Sequence, residues 1–301
     1  MSGANLQVEY RIHQHRFELR NRYYDIVREA MDNLGYTETR KAADINFFNH
    51  ISTNVPDAIV LKPTAPTSKH FALDRYGYAN SSELAFKEPI LNEDIEQMDW
   101  ASIIQMRANK CNKWDDSILL KWQTAKDIPD DHILLICQMP DDETVKGFGF
   151  GRHFEKVNDI AMKLHSLKEN FIIKMHPRWK ARTQYENDLL KNWKDKNIDV
   201  RMGYESIHDY LKKSRIVIVD NSTSGIEALM HEVPVISYGW PEYHWATEKL
   251  QTLTHLERLV KDTSWHRFMY ARMFTEWYIN HYLCTDINTT VKRLKVLLWK
   301  Q

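Results

Sequence analysis

The apolar run Ile216-Val217-Ile218-Val219 stops at Asp220-Asn221-Ser222-Thr223-Ser224-Gly225, and a helical pattern begins directly after it. A helix starting near Ser224 would offer free amide N–H groups and the positive end of its dipole to an anion. The hydroxyls of Ser222, Thr223 and Ser224 would be extra donors. The same residues would equally serve as an ordinary N-cap with no ligand. Two other segments end in a comparable way: an apolar stretch runs into Gln138-Met139-Pro140-Asp141-Asp142, and another into Lys174-Met175-His176-Pro177. Lys174 and His176 could neutralise a phosphate, with an imidazolium facing a departing oxygen. Glu227, one turn into the helix, could accept hydrogen bonds from ribose hydroxyls. Each of these also has a plain alternative, a His-Pro turn or one more exposed helix charge, and it is their recurrence at three strand ends that points to a site.

The elements that must position them alternate. From residue 130 onward DDHILLICQMP reads as a buried strand, 153–168 as a helix, and ENFIIKMHPRW as a second strand. Next come a helix and short strand in YENDLLKNWKDKNIDVRMG, a helix in SIHDYLKKS, a strand in RIVIVDNS, a helix in SGIEALMHE and a strand in VPVISYG. Strands alternating with helices predict a parallel sheet covered on both faces, with ligands at the carboxyl ends of the strands. Before residue 130 the pattern is less regular. The first 40 residues read as helix, with FELRNRYYDIVREAMDNLGY stopping at Gly35, ADINFFNHIS and DAIVLKPTA as strands, HFALD as a strand ending at Asp74, and 92–128 as a polar, mostly helical connection.

Composition narrows the class. The 301 residues, 43% apolar and 27% charged, suit a globular chain of one large or two ordinary domains. Lys plus Arg and Asp plus Glu are equal at 41 each, which removes the overall basic bias common in nucleic-acid binders. A small basic excess in residues 131–301 makes that half the better home for an anion. Cys111, Cys137 and Cys284 are far apart and odd in number, as expected in a reducing compartment. With a polar N-terminus and no run near the roughly 20 apolar residues of a membrane span, the reading is cytoplasmic.

The segments ILLICQMPDDETV, IIKMHPR, VDNSTSGIEALMHEVPVISYG and YGWPEYHW resemble bacterial capsule polysaccharide biosynthesis glycosyltransferases, a family that includes Kdo transferases on a GT-B fold. The resemblance covers about residues 130–250. Its motifs are shared with GT-B sialyltransferases and more loosely with CDP-glycerol glycerophosphotransferases. It implies two Rossmann-like domains with parallel sheets and C-terminal helices: 1–128 on the acceptor side, 129–250 binding a nucleotide-sugar donor, and 251–301 packing across both. It also implies that His176 and Ser222, Thr223 or Ser224 contact the nucleotide phosphate, with Gln138, Asp142, Lys174, Gly225 and Glu227 completing the donor site. The nucleotide sugar is then a co-substrate and no cofactor is expected.

The first half would supply the acceptor site and a general base. Asp74 is the first candidate and Glu83 the second, and Asp74→Ala and His176→Ala are both expected to abolish turnover without harming the fold. The family places its acidic residue close to a glycine, whereas here Arg75 and Tyr76 separate Asp74 from Gly77. Trp240 and Tyr243, with His244 and Trp245, could stack on a sugar or could pack the C-terminal helices onto the sheet. The basic, amphipathic ending TTVKRLKVLLWK is expected to dock on the core. No metal site is expected, since Asp115-Asp116, Asp130-Asp131 and Asp141-Asp142 are adjacent pairs that would point apart on a strand. The acceptor is expected to be a glycan or lipid-linked glycan. Competing readings are transfer to modified DNA bases, for which Arg11, Arg16, Arg20, Arg22 and Arg28 would form a basic stripe on a helix over 11–28, CDP-glycerol-type phosphotransfer, and a non-catalytic nucleotide-binding protein.

Overall fold

A computed structural model describes residues 8–13, 21–49, 58–78, 81–91, 98–113, 122–142, 144–145 and 152–299. The first sheet is built from β1 (Glu9–His13), β2 (Thr37–Glu38), β3 (Ile45–Asn49), β4 (Ala58–Pro63) and β5 (Phe71–Asp74), in the order β2-β1-β3-β4-β5. All neighbours are parallel except β4 and β5. That exception corrects an all-parallel expectation: the connection from Pro63 to Phe71 is too short for a crossover and allows only an antiparallel return.

Helix α1 (Asn21–Asn33) buries Tyr23, Tyr24, Val27, Ala30 and Met31 against this sheet. It ends at Gly35, whose φ of 82° is the left-handed conformation suited to a helix stop. Strand β1 was not read from the sequence, although Tyr10 and Ile12 are buried with a period of two. Arg11 is therefore on a strand, and Arg16 and Arg20 lie outside the described residues. Arg22 donates to Ser68 O, and Arg28 pairs with Asp25 at 2.9 Å and Glu38 at 3.0 Å. Arg22 and Arg28 are thus tied to protein partners and Arg11 is on a strand, so the described arginines do not form the helical stripe expected for DNA.

Short helix α2 (Glu83–Phe86) and α3 (Trp100–Ala108) lead to the second sheet. Its strands are β6 (His132–Ile136), β7 (Phe171–Lys174), β8 (Asp199–Arg201), β9 (Ser214–Val219), β10 (Val235–Ser237) and β11 (Glu248–Lys249). They lie in the order β11-β10-β9-β6-β7-β8 and every pairing is parallel. Helices α4 (His153–Ser166), α5 (Gln184–Asp195), α6 (Ile207–Leu211) and α7 (Ser224–Met230) connect them. The chain winds outward from β6 to β8, then returns to the other side of β6 as β9. This is the doubly wound order, and its reversal leaves a crevice beyond the carboxyl ends of β6 and β9.

The remainder divides its contacts between the halves. Helix α8 (Leu253–Lys261) packs on α4, whereas α9 (Phe268–Trp277) packs on α7. A π-helical turn, Tyr278–Tyr282, follows α9, and α10 (Ile287–Leu298) packs on α1 and β5, burying Leu294 and Leu297. A backbone bridge between Phe71 and Cys284 adds the C-terminal segment to the edge of the first sheet. One core cluster joins Ala72, Leu84 and Trp100 to Val217, Val219, Phe274 and Tyr278, so the two sheets share continuous apolar packing.

Candidate active site

The sheet order brings the predicted clusters together. Gln138 follows β6 and Asn221 follows β9, 83 residues apart, yet their amides pair directly: Gln138 Nε2 donates to Asn221 Oδ1 at 2.7 Å, and Asn221 N–H donates to Gln138 Oε1 at 2.9 Å. Asn221 Nδ2 also donates to Thr144 O at 2.9 Å, while Thr144 N–H and its hydroxyl donate to Asp142 Oδ1 at 2.9 and 2.6 Å. Behind them Gln138 N–H donates to His153 Nε2 at 3.1 Å, which leaves His153 Nδ1–H directed at Asp220 Oδ2, 3.4 Å away. Gln138 thus closes the switch point, with one N–H and one lone pair of its side-chain amide engaged by Asn221. Asp142 shapes the turn beside it.

The serine loop sits on a buried phenol. Tyr243 is 1% exposed and its hydroxyl donates to Ser222 O. A Cβ on Gly225 would stand 2.2 Å from that hydroxyl, so glycine is required for the close approach. Tyr243 therefore supports the loop from beneath and is not a sugar-stacking surface, because a ring enclosed on both faces cannot also meet a ligand. Ser224 N–H donates to Ser222 Oγ at 3.2 Å, and the side chain of Thr223 makes no capping bond to α7. Ser222, Thr223 and Ser224 are partly exposed, whereas Glu227 is buried one turn along.

Lys174 and His176 differ from expectation. Lys174 is buried, and its ammonium donates to Gly203 O at 3.0 Å and Met175 O at 3.3 Å. Burial lowers its pKa to about 8, and two of its ammonium hydrogens fasten the loop after β8 and the Met175 carbonyl. His176 is partly exposed, and its Nδ1 accepts the N–H of Arg178 at 3.2 Å. Burial, reinforced by the charges of Lys113 and Arg178, lowers its pKa to about 4. The ring is neutral at pH 7, so its remaining hydrogen is on Nε2. It offers a neutral N–H donor and not the expected imidazolium.

Asp74 is 0% exposed, and both of its oxygens are occupied. Oδ1 accepts from Tyr76 N at 2.7 Å and Gly77 N at 3.3 Å; Oδ2 accepts from Glu83 N at 2.8 Å and Tyr282 Oη at 2.9 Å. Burial pushes its pKa up, and the surrounding donors and Arg293 oppose the shift. A carboxylate so enclosed organises the start of α2 and cannot take a proton from an acceptor, which corrects its reading as an exposed base. Glu83 keeps a partly exposed side chain, with Arg293 at 3.6 Å.

Around the cleft the aromatic cluster joins the two halves. Trp240 Nε1 donates to Ala85 O at 3.3 Å and Trp245 Nε1 to Leu84 O at 2.6 Å, fastening the loop after β10 to α2. Trp240 is still 41% exposed, with the His244 ring 4.7 Å from its own and the Lys249 ammonium 5.1 Å from its centroid. Several contributors escaped the sequence reading. Glu242 is buried and accepts the hydroxyl of Tyr278, whose ring stacks on Tyr282 at 5.4 Å. Lys62 lies 4.6 Å over the Tyr78 ring, and Lys113 is felt by His176. No local pattern marks these residues, because sequence-distant partners create their environment. Among the described residues no group of three His, Cys, Asp or Glu side chains is arranged to hold a metal, and Asp115-Asp116 lie outside them.

The sequence profile described as "Capsule polysaccharide biosynthesis protein" matches residues 91–281. The chain belongs to this family. The whole chain also resembles two solved structures of KpsC from Thermosulfurimonas dismutans. To the beta Kdo 2,4 transferase it is 15% identical, with a TM-score of 0.57 over 96% of this chain and 98% of that one. To the beta Kdo 2,7 transferase it is 13% identical, with a TM-score of 0.55 over 98% and 100%. These likenesses establish a common GT-B-like α/β fold. A comparison with curated protein sequences finds no match.

Within this capsule-biosynthesis protein the family match runs from just before α3 through the π-turn. It includes Gln138, Asp142, His176 and the serine loop. Asp74 and Glu83 precede it, so the first-half assignments rest on the geometry of this chain alone. No helix among the described residues is long and apolar enough to cross a membrane.

Proposed function

We propose that this capsule-biosynthesis family member is a glycosyltransferase that moves a sugar from a nucleotide-sugar donor to a glycan or lipid-linked glycan. The observation that carries this reading is the convergence of three polar loops at the β6/β9 switch point, inside the segment that defines the family. On this reading residues 129–250 bind the donor, residues 1–128 form the acceptor side, and residues 251–301 tie them together. The partly exposed serine hydroxyls and His176 Nε2–H hold the nucleotide phosphate and stabilise its departure. Trp240 stacks on the sugar. The likeness to the two KpsC Kdo transferases favours Kdo among donor sugars. Nothing in the comparisons supports modified DNA as the acceptor.

Thermal stabilisation against CMP, CDP, UDP, GDP and ADP tests the donor reading. The matching nucleotide at 100 times its Kd should add about 2.7 kcal/mol. A shift with CMP supports the Kdo-like or sialyl-like donor and one with UDP a hexose or pentose, while no shift with any nucleotide removes the reading. Turnover is expected to survive EDTA, because the leaving group is met by N–H donors and hydroxyls.

With Asp74 enclosed, Glu83 becomes the proposed proton acceptor for the attacking hydroxyl. It stands at the start of α2, the helix whose last carbonyls are held by the donor half. Glu83→Gln should lower kcat by about 10²-fold or more and leave nucleotide affinity intact. Unchanged kcat would exclude it as the base.

A further inference from the structure

The segment that runs from α9 to Cys284 is anchored in both halves. Helix α9 packs on α7, the helix that follows the serine loop. At the other end Cys284 N–H donates to Phe71 O at 2.8 Å and Phe71 N–H donates back to Cys284 O at 3.0 Å, on the edge of the first sheet. Between these anchors lies the π-helical turn Tyr278–Tyr282, closed by the Leu283 N–H on Tyr278 O at 3.0 Å. Wide turns of this kind recur at functional sites. Both tyrosines are buried, and their rings stack at 5.4 Å with their planes 21° apart. Their hydroxyls serve opposite halves: Tyr278 donates to Glu242 Oε1 in the loop after β10, and Tyr282 donates to Asp74 Oδ2 at 2.9 Å at the end of β5. Burial and the adjacent carboxylate raise both phenols well above their usual pKa, so each keeps the hydrogen it donates.

Each carboxylate leads directly to a residue of the site. Glu242 precedes Tyr243, whose hydroxyl donates to Ser222 O beneath the serine loop. In the other half the Asp74 oxygen that accepts from Tyr282 also accepts the N–H of Glu83 at 2.8 Å. Arg293 lies 4.5 Å above the Tyr282 ring and 3.6 Å from the Glu83 carboxylate, so the Glu83 side chain meets a residue resting on the same phenol. A continuous line of contacts therefore runs from Ser222 through Tyr243, Glu242, Tyr278, Tyr282 and Asp74 to Glu83. Trp240 and Trp245 hold the other end of α2, at Ala85 O and Leu84 O, and leave its first residue to Asp74. Packing alone would be met by phenylalanine at both tyrosine positions, as Phe274 shows by stacking on Tyr278 at 5.9 Å. The hydroxyls add a fixed direction to each ring and satisfy a buried carboxylate in each half.

On the reading of the serine loop as the phosphate site and of Glu83 as the base, we propose that Tyr278 and Tyr282 are positioning residues that fix the span between the two. They act through the carboxylates they hold. A displacement of about 1 Å between reacting groups can cost about 10²-fold in rate, so loss of either hydroxyl is read in kcat and not in nucleotide affinity.

Tyr278→Phe and Tyr282→Phe keep the rings and remove only the hydroxyls. Calorimetric titration of the full chain with CMP, CDP, UDP, GDP and ADP identifies the nucleotide and counts the binding-competent sites. Turnover per competent site is then followed as nucleotide release from CMP-Kdo, or from the corresponding nucleoside diphosphate glucose, with water as the acceptor that Glu83 deprotonates. Each variant should lower kcat by about tenfold and leave the nucleotide Kd and the KM of the sugar nucleotide within about twofold. In a Glu83→Gln background Tyr282→Phe should change kcat by less than about twofold, because a residue acting through Glu83 then has nothing left to position. Wild-type kcat in both variants, or full additivity of Tyr282→Phe with Glu83→Gln, would overturn the proposal and leave the donor and base readings standing. Loss of nucleotide affinity in step with kcat would show general damage to the core and overturn it as well. If Glu83→Gln alone kept wild-type kcat, or if a wild type that binds nucleotide released none from its sugar, the base reading would fall and the proposal with it. Absence of nucleotide binding to wild type would remove the donor reading first and the proposal after it.

Discussion

Replacing Asp74 with Ala is expected to lower the stability of the protein by about 3–5 kcal/mol, enough to unfold a chain of ordinary stability under mild denaturant. The substitution leaves three backbone amides and the Tyr282 hydroxyl without an acceptor in a site closed to water. Each orphaned donor costs about 1–3 kcal/mol before relaxation. Asn is not a safe substitute either. Both oxygens of Asp74 accept, so either orientation of an amide turns its NH2 toward another donor. The expected result is a large drop in the denaturant midpoint for both variants, read by circular dichroism. If Asp74→Ala kept the wild-type midpoint and lost only turnover, the carboxylate would be a catalytic base and the structural role given to it here would be wrong. The expectation from sequence that this substitution spares the fold is thus reversed, because burial of a carboxylate changes what its removal does.

His176→Ala should have the opposite signature: about a 10²-fold fall in kcat with little change in stability. The ring is partly exposed and accepts a single backbone N–H, so its loss leaves only one amide to be rehydrated. Its protonation state makes the pH profile diagnostic. With a pKa lowered to about 4, the ring is already neutral at pH 6.5. The kcat/KM contribution of His176 should therefore be flat from pH 8 down to about 5 and change only as the pH approaches 4. An imidazolium donor with the usual pKa near 6.5 would instead lose activity as pH rises through that value. Such an alkaline fall, present in wild type and absent from His176→Ala, would exclude the neutral N–H donor.

Much of the architecture was legible because it rests on local rules. Continuous apolar runs bounded by polar turns mark the buried strands β6, β7 and β9, and the amphipathic stretches between them mark the helices. The close packing of the C-terminal basic helix was also readable, from the apolar face that buries Leu294 and Leu297. Strand β1 is hard to read despite its regular alternation, because a strand of five residues beside a strong helical pattern carries little signal of its own. The motifs of the serine loop and His176 likewise announce themselves by residue type at a strand end.

Periodicity and turn chemistry act over a few residues, so they specify the set of elements and the polar loops that follow the second sheet's strands. The tertiary structure decided which loops meet and which of their side chains remain available. Gln138 and Asn221 become neighbours only because β9 returns to lie beside β6. Asp74 is engaged by a tyrosine 208 residues away, and the carbonyl of Cys111 is held by a histidine 97 residues away. The physical reason is that a polar group's role depends on whether its hydrogen-bonding capacity is already satisfied, and folding brings the satisfying partners from distant parts of the chain.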